Sequence, residues 1–348
     1  MLKNSYKNLF FFMLISGTML SVSSSSWFAI WMGLEINLLS IIPLMMDTKN
    51  LYSSEATLKY FLTQALASSV LLFSVIMFYV ITKTEFLNLN DNSKLPMNIL
   101  NMMLISALML KSGAAPFHFW FPNVMEGISW FNNMILMTWQ KIAPIMLMTY
   151  CLNMDILLIS IVLSSFFGSI GGLNQMSLRK LMAFSSINHL SWMMIGLMKS
   201  ETLWFSYFLF YCFLSLTMVF LFNNYKIFYL NQMFTKLSHN MMTKFIILVP
   251  LLSLGGLPPF LGFFPKWMII EHLVFLNSFF ILFILMMFTL ITLFFYLRIC
   301  YSSFLMSAQK NNWEYQLMTK SSFFTFNSFM IFVSCSGFMV INLYFFLL

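Results

Sequence analysis

Runs of about twenty apolar residues, each long enough as a helix to cross the hydrocarbon core of a bilayer, recur from one end of this chain to the other. Eleven can be marked, at about 8–24, 26–46, 56–81, 98–122, 127–150, 155–173, 178–198, 202–222, 244–270, 273–298 and 322–347. With 60% hydrophobic and 8% charged residues over 348 positions, no single soluble core could hide that surface. The expected fold is an all-α polytopic membrane protein of about eleven helices. The connections are short, the longest near 83–97, 223–243 and 299–321, so residues 1–348 read as one membrane domain. Lys3 and Lys7 before the first run, with Ser23 to Ser26 after it, have the outline of a signal peptide. No A-x-A-like site follows and the next run starts at once, so the first run reads as a retained span.

The basic residues are consistent with this count. With the N-terminus on one side, that side holds Lys3, Lys7, Lys49, Lys59, Arg179, Lys180, Lys226, Lys236, Lys244, Arg298, Lys310 and Lys320. The other side holds Lys83, Lys94 and Lys199, and three lysines fall inside spans. Twelve against three is the positive-inside pattern, and a missed or invented span would scramble it. It puts the N-terminus in the matrix or cytoplasm and the C-terminus opposite. The net charge of +8 forms no block or aromatic-interleaved stripe, so nucleic acid is not an expected partner. Cys151, Cys212, Cys300 and Cys335 are scattered without a C-x-x-C and read as apolar helix fillers.

Two spans carry helix breakers. The fourth reads Lys111-Ser112-Gly113-Ala114-Ala115-Pro116-Phe117-His118. Pro116 lacks an N–H and clashes with the preceding turn, and Gly113 lets the backbone open. The ninth reads Gly255-Gly256-Leu257-Pro258-Pro259, followed by Gly262 and Pro265-Lys266-Trp267. Broken helices free carbonyls in mid-membrane, which is tolerated only inside protein or against water. The breaks lie five spans apart, an odd number, so the second would be inverted relative to the first. The expectation is an inverted repeat, with spans one to five in 1–152, spans six to ten in 153–300, and a loop and final span in 301–348.

Glu35, Lys111, Lys141 and Lys266 lie in or beside these apolar runs, where each ionisable group costs about 2.5–3.5 kcal/mol on insertion scales. Each is therefore a candidate for a proton or ion path. Glu35 is near the middle of the second span, with Lys111 its expected partner, and their pairing offsets the cost of burying either charge. It is either a structural pair or a gate that sets the proton affinity of the lysine. Lys141 is mid-span with no acidic residue in its own helix. Lys266 lies toward the end of the ninth span, where snorkelling to the surface is an alternative to lining a path. His118, after the first break, and His189 could relay protons or be ordinary hydrogen-bonded interior histidines. Glu126, His239, Glu271 and His272 read as interface or loop residues. No G-x-G-x-x-G, P-loop, cysteine cluster or paired-histidine span is present, so no nucleotide, iron–sulfur or haem site and no redox chemistry are expected on this polypeptide.

The segments Trp31 to Pro43, Lys111 to Pro122, Thr138 to Pro144 and Gly255 to Trp267 resemble those of the antiporter-like membrane subunits of respiratory complex I, and the likeness runs over essentially the whole chain. The 33 Met and 43 Phe fit an animal, insect-like mitochondrial origin. The resemblance implies that Glu35 and Lys111 are the family's charged pair, Lys141 the bridging lysine of its hydrophilic axis, and Lys266 the lysine of its second broken helix. His118 and His189 fall on positions the family lines with polar groups and water. It further implies a core subunit of NADH:ubiquinone oxidoreductase in the mitochondrial inner membrane, N-terminus in the matrix and C-terminus in the intermembrane space. Protons would be driven by redox chemistry elsewhere, with FMN, iron–sulfur clusters and ubiquinone on other subunits and no cofactor or metal here. Partners would be other membrane-arm subunits, accessory subunits and a phospholipid such as cardiolipin. Bacterial relatives carry three more spans, so one flank is left to other subunits or lipid. The alternatives are a subunit of a cation/proton antiporter and a structural spacer whose charges only fix helix register.

Overall fold

A computed structural model describes residues 2–47, 50–83, 95–237, 241–305 and 321–337. Lys49, Lys94, His239, Lys310, Lys320 and the last part of the eleventh expected span, 338–347, lie outside the described residues. Among the described residues the chain is helical, and its only β-like pairing is the single bridge Ser177–Tyr229. The chain forms two compact units, Met1–Ser164 and Ser165–Leu348, the boundary falling inside one helix.

In the first unit the helices are α1 (Leu2–Ser23), α2 (Trp27–Met45), α3 (Leu51–Thr82), α4 (Leu95–Ser112), α5 (Trp120–Gly127), α6 (Trp130–Met137) and α7 (Trp139–Met148), with a 3-10 turn at Thr149–Cys151. Ser26 starts α2 by accepting from the Ala29 N–H, and Asn50 starts α3 by accepting from Tyr52. α1 and α2 pack closely because Gly33 removes a side chain there: an added Cβ would lie 2.7 Å from the Ser21 nitrogen. The unit boundary lies in α8 (Met154–Ile170).

In the second unit follow α9 (Leu178–Lys199), α10 (Glu201–Tyr225), α11 (Leu230–Leu237), α12 (Met241–Gly255), α13 (Phe263–Phe275), α14 (Phe279–Leu305) and α15 (Ser321–Cys335). α9 is buried almost all round, as a central helix must be, yet it carries Ser185, Ser186, Asn188, His189 and Ser191. α14 is the opposite, with Phe280 77% and Phe294 57% exposed. Aromatic side chains at that exposure suit lipid, not water.

Among the described residues, five helices are each long and apolar enough to cross a membrane: Trp27–Met45, Leu51–Ile81, Leu178–Lys199, Glu201–Tyr225 and Phe279–Phe304. The fourth, fifth and ninth expected spans are each divided into two helices. The division of the fifth, at Thr138, was not foreseen. The short α11 also occupies what reads in the sequence as a plain connection.

Candidate functional site

The first break takes the form its residues dictate. α4 ends at Ser112, Gly113 turns the chain with φ +76°, and α5 begins at Trp120. The Ala115–Pro116 peptide is cis. The released Leu110 carbonyl does not stay open, because the Trp120 indole donates to it at 3.1 Å. Lys111, in the last turn of α4, and His118, in the connecting loop, are both buried.

Lys111 is not in contact with Glu35. No ion pair of 4.0 Å or less joins them, although the carboxylate acts on the ammonium through space. The Lys111 Nζ and the Glu35 Oε1 both lie out of reach of any protein hydrogen-bond partner. The two charges thus face each other across a gap and not in a contact pair. Amides take up the space beside the lysine: Lys111, Asn37, Tyr60, Gln64, Gln140 and Pro144 are among the walls of a cavity of about 10 Å³. That is room for a single water. The Gln140 amide donates to the Asn37 Oδ1 at 2.7 Å, while the Gln64 Nε2 has no acceptor. Sequence reading, which searched for charges, passed over Asn37, Gln64 and Gln140. The usable signal was an uncharged amide in mid-span, as Gln64 is in α3.

Lys141 stands in the first turn of α7, just after the unforeseen division. Thr138 has φ −110° and ψ −70°, and its hydroxyl donates to the Met134 carbonyl. Pro144 follows, and without an N–H it leaves the Gln140 carbonyl without its usual helical donor. Lys141 is 1% exposed, with its Nζ 5.3 Å from the centre of the Phe121 ring. That distance allows a cation–π contact when the amine is charged.

The second unit repeats the arrangement with a different closure. α12 ends at Gly255, Gly256 turns with φ +82°, and α13 begins at Phe263 beyond Pro258 and Pro259. Lys266 sits in the first turn of α13, not at a span's end, because the break restarts the helix before it. It is 5% exposed and its Nζ donates to the Gly255 carbonyl at 2.9 Å, so it does not snorkel. The ammonium caps the negative end of the helix it follows. The approach leaves no space at Gly256, where an added Cβ would lie 2.8 Å from the Lys266 Nζ. Gly262 is tighter: an added Cβ there would overlap the Ser253 carbonyl oxygen. α15 covers the turn, with the Leu261 N–H donating to the Ser334 carbonyl.

His189, on α9, is buried, and its Nδ1 lies 2.8 Å from the Tyr207 hydroxyl, with the Tyr211 ring 5.1 Å away. Asn188 reaches Thr292 at 3.5 Å. These groups make a buried polar seam inside the second unit, and its tyrosines were not singled out in the sequence. Glu126 lies on α5, and Glu271 and His272 lie on α13. Among the described residues, no three of His, Cys, Asp and Glu gather where a metal ion could be held.

Residues 24–292 match the family described as NADH:quinone oxidoreductase/Mrp antiporter, TM. NADH-ubiquinone oxidoreductase chain 2 of Anopheles gambiae is 52% identical over 343 residues, 98% of each chain. The chain belongs to the NADH-ubiquinone oxidoreductase chain 2 family. Chain 2 of Aedes aegypti is 51% identical over 348 residues, covering both chains in full. These insect relatives agree with the insect-like composition. A chain in respiratory complex I from Thermus thermophilus superposes with a TM-score of 0.82 at 22% identity, covering 97% of this chain and 79% of that one. At that identity the likeness establishes the fold alone.

Proposed function

We propose that this chain is the chain 2 subunit of NADH:ubiquinone oxidoreductase in the mitochondrial inner membrane, and that it carries protons through its interior. The observation that carries the proton role is the pair of buried lysines, Lys111 and Lys266, each beside a broken helix in its own compact unit. A buried amine is costly, so two of them beside broken helices mark a functional path. Lys111, Lys141 and Lys266 form the proposed relay, with water between them, and His118 and His189 serve as side relays. Glu35 biases Lys111 from a distance, and the Asn37, Gln64 and Gln140 amides hold the water beside it. Each elementary charge moved against the membrane field requires about 2.3 kcal/mol per 100 mV, so the drive must come from changing charges on neighbouring subunits.

The finer architecture belongs to the same proposal. Eleven crossings form two inverted five-helix repeats, 1–152 and 153–300, with one further crossing after them. The N-terminus faces the matrix and the C-terminus the intermembrane space. FMN, iron–sulfur clusters and ubiquinone are carried by other subunits, and this chain holds neither cofactor nor metal. Accessory subunits and a phospholipid such as cardiolipin cover its flanks, and it binds no nucleic acid.

Isolation of the chain from native membrane tests its place in the complex: NADH dehydrogenase activity and flavin should travel with it. A cation/proton antiporter assembly without flavin would sink the proposal. Glu35→Gln should lower the protons moved per NADH oxidised in assembled enzyme by about three- to tenfold, the effect of about 0.7–1.4 kcal/mol. An unchanged ratio would remove Glu35 from the path. Gln64→Leu, which keeps the size and removes the amide, should lower pumping by about tenfold while assembly stays normal. A high-resolution map of the wild type should show one ordered water beside Lys111. A dry cavity would end that part of the proposal.

A further inference from the structure

One cleft has no place in the proton path. In the second unit, Met198 and Lys199 at the end of α9, Ser200 and Leu203 around the start of α10, and His272, Phe275 and Leu276 at the end of α13 wall a cleft of about 600 Å³. α9 and α10 are both long and apolar enough to cross the membrane, and they are joined at Ser200. The cleft therefore opens at a membrane–water boundary. One wall is cationic or polar, with Lys199, His272 and Ser200, and the first two are exposed. The other is apolar, with Phe275 75% and Leu276 52% exposed. Glu201 and Glu271 are neighbours in sequence but not walls of the cleft.

Lys199 also stands out in the charge ledger. It is one of three basic residues assigned to the poorly basic side, at the end of α9 beside a connection of one residue, Ser200. Topology does not ask for a lysine there, so a local reason is needed. A cation and an imidazole beside two exposed apolar side chains at a bilayer surface match an amphiphile with an anionic head. A soluble anion would leave Phe275 and Leu276 bare, and an uncharged tail would leave Lys199 without a complement.

We propose that this cleft is a binding site for an anionic phospholipid. Its phosphate lies on Lys199 and His272, with the Ser200 hydroxyl able to donate to it, and one acyl chain lies over Phe275 and Leu276. The site stands whether or not the lysine relay does, because it uses none of the relay residues.

The test uses the intact complex in nanodiscs carrying phosphatidylglycerol or phosphatidylcholine with a diazirine in the acyl chain. Phosphatidylglycerol should label the segment containing Phe275 and Leu276 about fivefold more than phosphatidylcholine, the ratio one lysine near an anionic headgroup supplies. Lys199→Met combined with His272→Gln should bring the phosphatidylglycerol signal down to the phosphatidylcholine level. Inorganic phosphate should leave labelling unchanged. Equal labelling by the two lipids in the wild type, persistence of the preference in the double variant, displacement by inorganic phosphate, or crosslinks to another protein chain would each overturn the proposal. Should the double variant fail to assemble, the wild-type ratio between the two lipids decides alone.

Discussion

Lys141→Met in the assembled enzyme is expected to cut protons pumped per NADH oxidised by about a hundredfold, the lower end of what a positioned proton-transfer group contributes. Lys141 is 1% exposed and held over the Phe121 ring, in the turn that follows the division at Thr138. Methionine has nearly the same length and no charge, so the packing of α7 is preserved and the burial cost of an amine is removed. Assembly and thermal stability should therefore be unchanged or slightly improved while pumping falls. That combination separates a proton carrier from a structural spacer, for which removing a buried amine should leave pumping intact. A Lys141→Met enzyme with full assembly and a normal pumping ratio would falsify the relay.

Gly262→Ala should have an equally large effect of a different kind. The added methyl group would overlap the Ser253 carbonyl oxygen and lie 3.2 Å from the Leu214 Cδ1. Ser253 cannot yield freely, because its carbonyl accepts from the Gly256 N–H at 3.0 Å and so helps form the turn. Relief requires α13 to move away from the end of α12, which also breaks the Lys266 contact with Gly255. A cost of about 4–5 kcal/mol or more is expected, enough to keep the chain out of the complex. Native electrophoresis should show the assembled complex nearly absent. Normal abundance with normal thermal stability would mean that the two helices do not meet as described.

What the sequence disclosed and what it hid follow from how local each signal is. The breaks at Gly113–Pro116 and Gly255–Pro259 were legible because glycine and proline act on their own backbone. The intramembrane charges were legible because any lysine in an apolar run stands out. The division at Thr138 was not, because a threonine is compatible with a continuous helix and only its torsion angles reveal the bend. The sequence left Lys266 open between snorkelling and lining a path for a related reason: counted along an unbroken span it falls near an end, but the break makes it the start of a new helix. The cavity beside Lys111 is built by Asn37, Gln64 and Gln140 converging from three helices, α2, α3 and α7, and no local pattern announces that.

The two broken helices differ in what holds their loose ends. At the first, an indole N–H occupies the Leu110 oxygen. Tryptophan gives up no proton in any biological range, so that elbow is indifferent to the ionic state around it. At the second, the occupant is the Lys266 amine. Removing one hydrogen ion takes away its charge and weakens its grip on the Gly255 oxygen. One elbow is bolted and the other is on a latch, and the key to the latch is the particle the chain is proposed to carry.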